Sequence, residues 1–315
     1  MSATLRFALF QIVIVVPFLA GTWLRPRMAD SKKTSGRLIR FNLTLVEPFI
    51  ALWSIWGLDL GRDMVFLPLS GLLLVLAGMA AGRVALAFLP LEGKSRATFL
   101  ISSSIANHGF TMGAFICYLF LGERGLGLAM LFLSYFLLYV FTVIFPYARY
   151  VSSRKHGRAG ILREYVLNLQ NLPLGATLLA LALHALGLPR PDIFFPIDLF
   201  MVVSISLYYF SMGTSFTFSG MFASLRENAW LAAIKFAAVP AGAAFCLSFT
   251  PIAPELKGVV LLQAFMPAAI YSVVASVLFD LDTGLATNLF AFNTLLFIFL
   301  VLPLLFLCRG AILSF

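Results

Sequence analysis

The sequence predicts an all-α integral membrane protein with ten transmembrane helices, arranged as two inverted five-helix repeats. Of its 315 residues, 61% are hydrophobic and only 11% are charged, whereas about a quarter of the residues in a soluble globular domain are charged. Apolar runs of about 20 residues, the length that crosses a bilayer as a helix, occur ten times. A segment of the first half also has a faint copy in the second half.

The ten apolar runs set the order of the predicted spans. The longest loops between them have about 15 residues, too few to build a soluble domain with its own core. The first run is too long for a signal peptide and has no small-residue cleavage site, so we expect it to remain as a span. The runs are centred near Val13, Leu45, Leu74, Ile105, Leu133, Leu178, Ser206, Val239, Ala269 and Leu296.

Five spans fall on each side of a basic segment in the middle of the chain. The predicted domains are a first five-helix repeat at 1–150, a basic cytoplasmic linker at 151–163 and a second five-helix repeat at 164–315. Because each half has an odd number of spans, the second half crosses the membrane in the opposite sense. Inverted repeats of this kind are typical of secondary transporters.

The faint internal copy supports the division into two repeats. A shift of 159 positions places the segment from Ala106 to Phe132 over the segment from Phe265 to Ala291, with four identities and one acidic pair in 27 positions. The acidic pair is Glu123 with Asp282, and both residues lie in the turn between two apolar runs. Because the match includes the turn, we prefer a repeat to a chance likeness between membrane segments.

Lysine and arginine residues in the loops predict the orientation. Fourteen lie in loops on one side of the predicted membrane, and six lie on the other side, where both termini are counted. Cytoplasmic loops carry the excess of positive charge, so we expect the linker in the cytoplasm and both termini outside. These loops also account for the net charge of +9, and no nucleic-acid partner is expected.

Charged residues inside the predicted spans are candidates for function, because they are rare there and usually functional. Glu47 lies near the middle of span 2, directly before Pro48, which disrupts the helix locally. A carboxyl group at that depth must be protonated, paired or hydrated. We therefore interpret Glu47 as a proton- or cation-coupling group or a gate, with a buried acid satisfied by a neighbouring helix as the alternative. Lys235 in span 8 is a candidate to pair with Glu47 or to attract an anion.

Polar residues repeat at intervals of four in spans 4 and 9, which would bring them to the binding site if both spans are broken near their midpoints. Pro267 lies inside span 9 and removes a backbone donor, and such a break is tolerated only where protein or a water-filled cavity covers the freed groups. Half-helix N-termini would then favour an anionic ligand, although polar residues in spans also connect helices to one another. The residues are Ser103, Asn107 and Thr111 in span 4 and Gln263, Pro267 and Tyr271 in span 9.

The sequence offers no catalytic or metal-binding constellation. There is no nucleophile elbow, phosphate loop or metal-ligand pair on a helix, so we do not expect an enzyme or a cofactor. His108 has no second histidine or carboxylate at ligand spacing, and we interpret it as a packing or titrating residue. Cys117, Cys246 and Cys308 lie in apolar runs without the spacing of a metal site or a disulfide framework.

Four segments of the chain resemble the auxin efflux carrier family of ten-span permeases, in its short prokaryotic form. The resemblance extends over nearly the whole chain. The best segment is LLQAFMPAAIYSVVASVLFDLD, followed by TLLFIFLVLPL, which is similar to spans 9 and 10 of the family. The others are NHGF at Asn107 to Phe110, SMGTSF at Ser211 to Phe216 and IKFAAVP at Ile234 to Pro240.

The resemblance implies an inverted-repeat fold in which transmembrane helices 4 and 9 are broken and cross at their breaks, with Asn107 and Pro267 lining the crossing. It also implies transport of organic anions such as dicarboxylates or auxin-like acids, and a homodimer. The family commonly has a proline shortly after the Asn-x-Gly-Phe motif, and the segment from Thr111 to Cys117 contains none. Gly109 and Gly113 are then the residues expected to let span 4 open.

These observations together predict a secondary transporter that moves a small organic anion across a bacterial inner membrane by alternating access. Glu47 or Lys235 would handle the coupling charge, with protons preferred to sodium as the coupling ion. The predicted substrate-binding residues are Asn107, Thr111, Gln263, Pro267, Tyr271 and Ser272. The alternatives are a sodium-coupled symporter of the bile-acid type, which also uses ten spans and crossing broken helices, and a membrane sensor that has kept the fold without net flux.

Overall fold

The computed structural model describes residues 3–152, 172–215 and 224–314. Across these ranges the chain forms helices joined by short turns, and none of the described residues belongs to a β-strand. The all-helical prediction is therefore confirmed. The linker predicted at 151–163 lies, apart from its first two residues, outside the described residues.

Seventeen α-helices are defined in the described ranges. The first eight are α1 (Ala3–Leu24), α2 (Ser31–Phe41), α3 (Glu47–Trp56), α4 (Phe66–Ala85), α5 (Gly93–Ser104), α6 (Gly113–Leu133), α7 (Phe136–Tyr139) and α8 (Phe145–Val151). The others are α9 (Leu172–Ala185), α10 (Ile197–Ser215), α11 (Leu225–Ala233), α12 (Val239–Ser248), α13 (Pro254–Ala264), α14 (Ile270–Leu278), α15 (Thr283–Leu296), α16 (Leu302–Leu307) and α17 (Arg309–Leu313).

Several of these helices run on into one another and form continuous stretches that could cross a membrane. By length and composition, six stretches among the described residues qualify, and they make the chain a multi-pass membrane protein. They are Lys33–Trp56, Arg62–Ala85, Gly113–Val151, Ile197–Thr214, Leu225–Ser248 and Thr283–Leu307. The third stretch bends sharply at Gly122, whose φ of 68° is a left-handed conformation that glycine adopts without strain.

A widened helical turn precedes a proline in four places. A proline in a helix lacks the N–H donor and clashes with the carbonyl one turn earlier, and a π turn, which contains one extra residue, relieves that clash. In each case the proline is the second residue of the α-helix that follows the π turn. The pairs are Asn42–Val46 with Pro48, Val140–Ile144 with Pro146, Ile234–Ala238 with Pro240, and Phe297–Val301 with Pro303.

The chain divides into two compact units, each assembled from three separate segments. Unit 1 comprises Met1–Gly61, Gly109–Leu131 and Gly157–Phe216. Unit 2 comprises Arg62–His108, Phe132–His156 and Thr217–Phe315. Each unit thus draws on both halves of the sequence.

Unit 1 contains a close contact between two helices at a pair of glycines. Helix α1 packs along α10, and a Cβ atom added at Gly21 would overlap the carbonyl oxygen of Phe210. Similarly, a Cβ atom added at Gly213 would overlap the carbonyl oxygen of Phe18. Small residues at such positions let helix backbones approach closely in membranes, so these two glycines set the α1–α10 spacing.

Unit 2 holds the beginning of α5 against the turn that joins α14 to α15. The Lys94 ammonium lies 2.7 Å from the Asp280 carboxylate. The Ser95 hydroxyl donates to the Asp282 carboxylate at 2.6 Å, and the Asp282 backbone N–H donates to the Thr98 hydroxyl at 3.1 Å. Asp282 also accepts from the Leu285 N–H at 3.0 Å and so serves as the N-cap of α15.

Candidate functional site

The first interruption of a helix at the candidate site lies between α5 and α6. Helix α5 ends at Ser104, and Ile105 has the extended φ and ψ of −79° and 138°. No residue from Ile105 to Met112 is helical. The carbonyl of Gly109 then accepts from the N–H groups of Met112 and Ala114, at 3.1 and 3.0 Å, and so starts α6. The helix is therefore broken here although this segment contains no proline.

The second interruption lies between α13 and α14. Helix α13 ends at Ala264, and α14 begins at Ile270 after five non-helical residues. Pro267 is the middle residue of this break. A proline cannot donate to the helix and disfavours helical conformation in the residue before it, which explains why the helix stops here.

The two interruptions pair with each other in unit 2. The N–H of Asn107 donates to the carbonyl of Pro267 at 2.8 Å, and the N–H of Ala269 donates to the carbonyl of Ile105 at 3.3 Å. Ala106 and Ala268 form the antiparallel bridge between them. We call the paired segments Ile105–Asn107 and Pro267–Ala269 the crossover. Each break thereby satisfies backbone groups that the other leaves without a helical partner.

Lys235 hydrogen-bonds to the carbonyl end of α5. Its Nζ atom donates to the carbonyl of Ser104 at 3.3 Å and to the carbonyl of Ile105 at 3.0 Å. The residue is only 2% exposed and lies in the π turn Ile234–Ala238. The C-terminal end of a helix carries about half a negative charge, so a cation at this position is electrostatically favoured.

His108 occupies the corresponding place at the end of α13. Its Nε2 atom lies 3.1 Å from the carbonyl oxygen of Gln263, and its Nδ1 atom lies 2.6 Å from the hydroxyl of Tyr135. Since a carbonyl only accepts, Nε2 carries the proton, and in the neutral ring Nδ1 accepts from the Tyr135 hydroxyl. The imidazole ring of His108 also packs edge to face on the ring of Phe132, with 5.1 Å between the ring centroids.

The predicted binding residues of unit 2 surround the second break. Asn107 and Gln263 are buried, and Gln263 donates from Nε2 to the carbonyl of His108 at 3.5 Å. Ser272 is buried in the first turn of α14, where its hydroxyl donates to the carbonyl of Ala269 at 2.8 Å. Tyr271 is half-buried and meets Phe136 edge to face at 5.0 Å. The structure thus gathers Asn107, Gln263, Pro267, Tyr271, Ser272 and Lys235 at or next to the crossover.

Three other predicted residues belong to unit 1. Thr111 is partly exposed, and its backbone carbonyl accepts from the hydroxyl of Tyr209 at 3.2 Å. Gly113 is the first residue of α6, and Gly109 supplies the carbonyl that starts it. These glycines therefore lie where the helix resumes after the first interruption.

Glu47 lies in a separate polar cluster inside unit 1. It is 3% exposed, and its Oε1 atom accepts from Nδ2 of Asn42 at 3.1 Å. The same nitrogen donates to the hydroxyl of Ser204 at 3.0 Å, and the side chain of Tyr208 also hydrogen-bonds to Glu47. Asn42 begins the π turn that leads to Glu47 and Pro48. All these partners are neutral, so nothing in this cluster balances an ionised carboxylate.

No pattern in the sequence marks the partners of Lys235 and His108. Both residues contact backbone carbonyls more than a hundred positions away in the chain, and spacing along a helix carries no information about such contacts. In the described part of the chain, no group of three or more His, Cys, Asp or Glu residues is placed to hold a metal ion.

Comparison with known proteins does not identify a class for the protein, so the class is taken from its structure. No protein-family model matches the chain, and no curated protein matches its sequence. The helices define a multi-pass membrane protein, and the paired helix breaks distinguish its candidate site. The resemblance to auxin efflux carriers stays a prediction.

Proposed function

We propose that the protein is a secondary transporter that moves a small organic anion by alternating access at the crossover. The observation that carries this proposal is the pairing of two interrupted helices, joined by the 2.8 Å hydrogen bond from Asn107 to Pro267. Discontinuous helices provide the substrate and ion sites of many secondary transporters, near the middle of the membrane. Non-helical backbone at membrane depth is tolerated where protein or a water-filled cavity covers it.

The order of elements in the two halves supports ten spans in two inverted repeats. In the first half, α5 is followed by a break, by α6 with its turn at Gly122, and by a π turn before Pro146. In the second half, α13 is followed by a break, by α14, by a turn after Leu278, and by a π turn before Pro303. The same order of elements agrees with the faint sequence copy. Together with the six long apolar stretches, α1, α9 and the two broken helices would make ten spans.

The chemistry of the crossover favours an anion. The side chains that hydrogen-bond to its backbone or flank it are a lysine, a histidine and an amide, namely Lys235, His108 and Gln263. Amide N–H groups of Asn107 and Gln263 are suitable donors for a carboxylate. A carboxylate bound here would lie near the buried positive charge of Lys235, which lowers the cost of taking it out of water.

Glu47 is the proposed site of proton coupling. It is buried among neutral donors. A buried carboxyl group with only neutral partners is costly in its ionised form, so it is stable only when it binds a proton or a cation. Uptake of that proton on one side of the membrane and its release on the other would move one positive charge in each transport cycle. We place the protein in a bacterial inner membrane with both termini outside, and the family resemblance adds a homodimer to this proposal.

The experiment that tests the proposal is uptake into proteoliposomes of radiolabelled mono- and dicarboxylates, with and without a proton gradient and with and without sodium. We expect saturable uptake that the proton gradient drives. Sodium-dependent uptake would instead favour the bile-acid type of symporter. Binding without uptake would favour the sensor.

Matched variants test the site itself. Asn107→Ala and Gln263→Ala should abolish uptake while the amount of folded protein is unchanged, because the crossover hydrogen bond of Asn107 comes from its backbone. Ser248→Ala is the control, since Ser248 is an exposed polar residue at the end of α12. Wild-type uptake by both site variants would disprove the assignment of the site.

A further inference from the structure

The carbonyl end of α5 is built like a cation site. The carbonyl oxygens of Ser104 and Ile105 converge on one point in unit 2, where they receive the Nζ atom of Lys235 at 3.3 and 3.0 Å. One of these carbonyls ends the helix, and the other belongs to the extended crossover segment. Both Ser104 and Ile105 are almost fully buried, with exposures of 1% and 0%.

Carbonyl groups at the end of a half-helix, next to unwound backbone, are the groups with which sodium-coupled transporters bind their ion. The oxygens offer partial negative charge, and the helix dipole adds to it. A small metal cation and an ammonium group meet the same two requirements, positive charge and contact with carbonyl oxygens. In this chain the ammonium of Lys235 already fills the position.

The helix that carries Lys235 holds this ammonium at a defined place. Lys235 is the second residue of the π turn Ile234–Ala238, and Pro240 is the second residue of the α-helix that follows the turn. The extra residue of a π turn rotates the side chains before it relative to those after it. Because the proline stabilises that widened turn, the direction in which Lys235 leaves the helix is built into the fold.

We propose that the Lys235 ammonium is a tethered cation, which occupies a monovalent-cation site at the end of α5, so that the crossover needs no sodium ion. This inference rests on the proposed function, because it states which ion the crossover of the proposed transporter does not require. Its test, however, uses protein stability and does not require that a substrate be known. Lys235 acts here as a positioning residue for the crossover backbone.

The test is thermal unfolding of the purified full-length protein in sodium chloride and in choline chloride at equal ionic strength. The wild-type protein should melt at the same temperature in both salts. Lys235→Ala should lower the melting temperature by about 5 °C in choline chloride, since it removes a charged donor from two buried carbonyls. Sodium chloride or methylammonium chloride should restore about half of that loss, because a small cation that binds the vacated site stabilises the folded state.

Two further variants separate the charge from the packing of the side chain. Lys235→Met keeps a long side chain in the site but has no charge, so it should be destabilised and should not respond to sodium or methylammonium. Lys235→Arg keeps the positive charge and should melt closer to the wild type than Lys235→Met does. A response of the methionine variant equal to that of the alanine variant would mean that the ions act elsewhere.

Several results would overturn the proposal. One is stabilisation of the wild-type protein by sodium relative to choline, a measurement that needs no variant. Another is a Lys235→Ala protein that melts like the wild type, or one that loses stability which neither cation restores. Failure of carboxylate uptake would remove the proposed function but leave these melting results intact, whereas sodium-driven uptake would remove the tethered cation and keep the transporter.

Discussion

The backbone N–H of Asn107 donates to the carbonyl of Pro267 at 2.8 Å, and this bond joins the two interrupted helices of unit 2. Neither side chain takes part in it. The side chain of Asn107 can therefore be changed without removing the hydrogen bond that holds the crossover together. Loss of function and loss of fold should therefore be separable at this position.

Pro267→Ala should destabilise the protein by about 1–3 kcal/mol. The variant keeps the carbonyl that accepts from Asn107 but adds a buried N–H, which costs roughly this amount if it finds no acceptor, and it frees the φ angle that the proline ring fixes. Thermal unfolding of the purified protein measures the change. Pro254→Ala at the beginning of α13, where a helix needs no N–H donor, is the control and should change stability by less than about 1 kcal/mol.

Removal of the ring nitrogens of His108 should cost more stability than removal of the hydroxyl of Tyr135. His108→Phe leaves the carbonyl of Gln263 without its buried donor and the Tyr135 hydroxyl without its acceptor, with an expected loss of about 2–4 kcal/mol for two buried groups. Tyr135→Phe removes one neutral hydrogen bond, worth about 1 kcal/mol.

The double variant tests whether the two groups act together. If the Nδ1–hydroxyl bond is real, the losses in His108→Phe and Tyr135→Phe will not add, and the coupling energy will be about 0.5–3 kcal/mol. Strictly additive losses would argue against direct contact between the two side chains.

Glu47→Gln should leave the protein folded and remove its response to a proton gradient. The amide has nearly the shape of the carboxyl group and can still accept from Asn42, but it cannot release a proton. Uptake into proteoliposomes should then run at the same rate with and without the gradient. Glu92→Gln is the matched control, because Glu92 is exposed at the beginning of α5. Gradient-driven uptake by the Glu47 variant would assign coupling to another residue.

Gly213→Val should prevent α1 and α10 from packing. The added side chain would overlap the carbonyl of Phe18, and a backbone cannot move aside as a flexible side chain can, so we expect a loss of at least about 3 kcal/mol or no folded protein at all. Gly175→Ala is the control, because a Cβ atom there meets nothing within 4 Å. It should raise stability by up to about 1 kcal/mol, since alanine favours helix over glycine. Size-exclusion chromatography in detergent and thermal unfolding measure the effects of both variants.

The sequence contains enough information for the membrane class and for one of the two breaks. Apolar runs predict helices that can cross a membrane, and Pro267 predicts an interruption because its ring excludes a regular helix. The interruption after Ser104 has no such marker, and the family resemblance alone suggested it. Its physical cause is the pairing with the second break, a contact that a local pattern does not contain.

Other features of the site depend on the three-dimensional arrangement in the same way. Lys235 was identified as a buried charge, but its acceptors are carbonyl groups, which every residue has and which sequence therefore does not mark. The prolines that follow the π turns are visible in the sequence, whereas the extra residue in each turn is not. Glu47 was singled out for its depth, and its neutral partners became known only from the packing of α10.

The glycine contact between α1 and α10 also has a consequence for biosynthesis. The packing surface of α1 is made as soon as Gly21 has been translated, but its partner is not complete until the ribosome has passed Gly213. During that interval the face of α1 that packs on α10 has no partner helix, while the first segments of unit 2 are already being translated. Assembly of unit 1 is therefore a late event in synthesis, and chains truncated before α10 should be recognised by membrane proteases as incomplete.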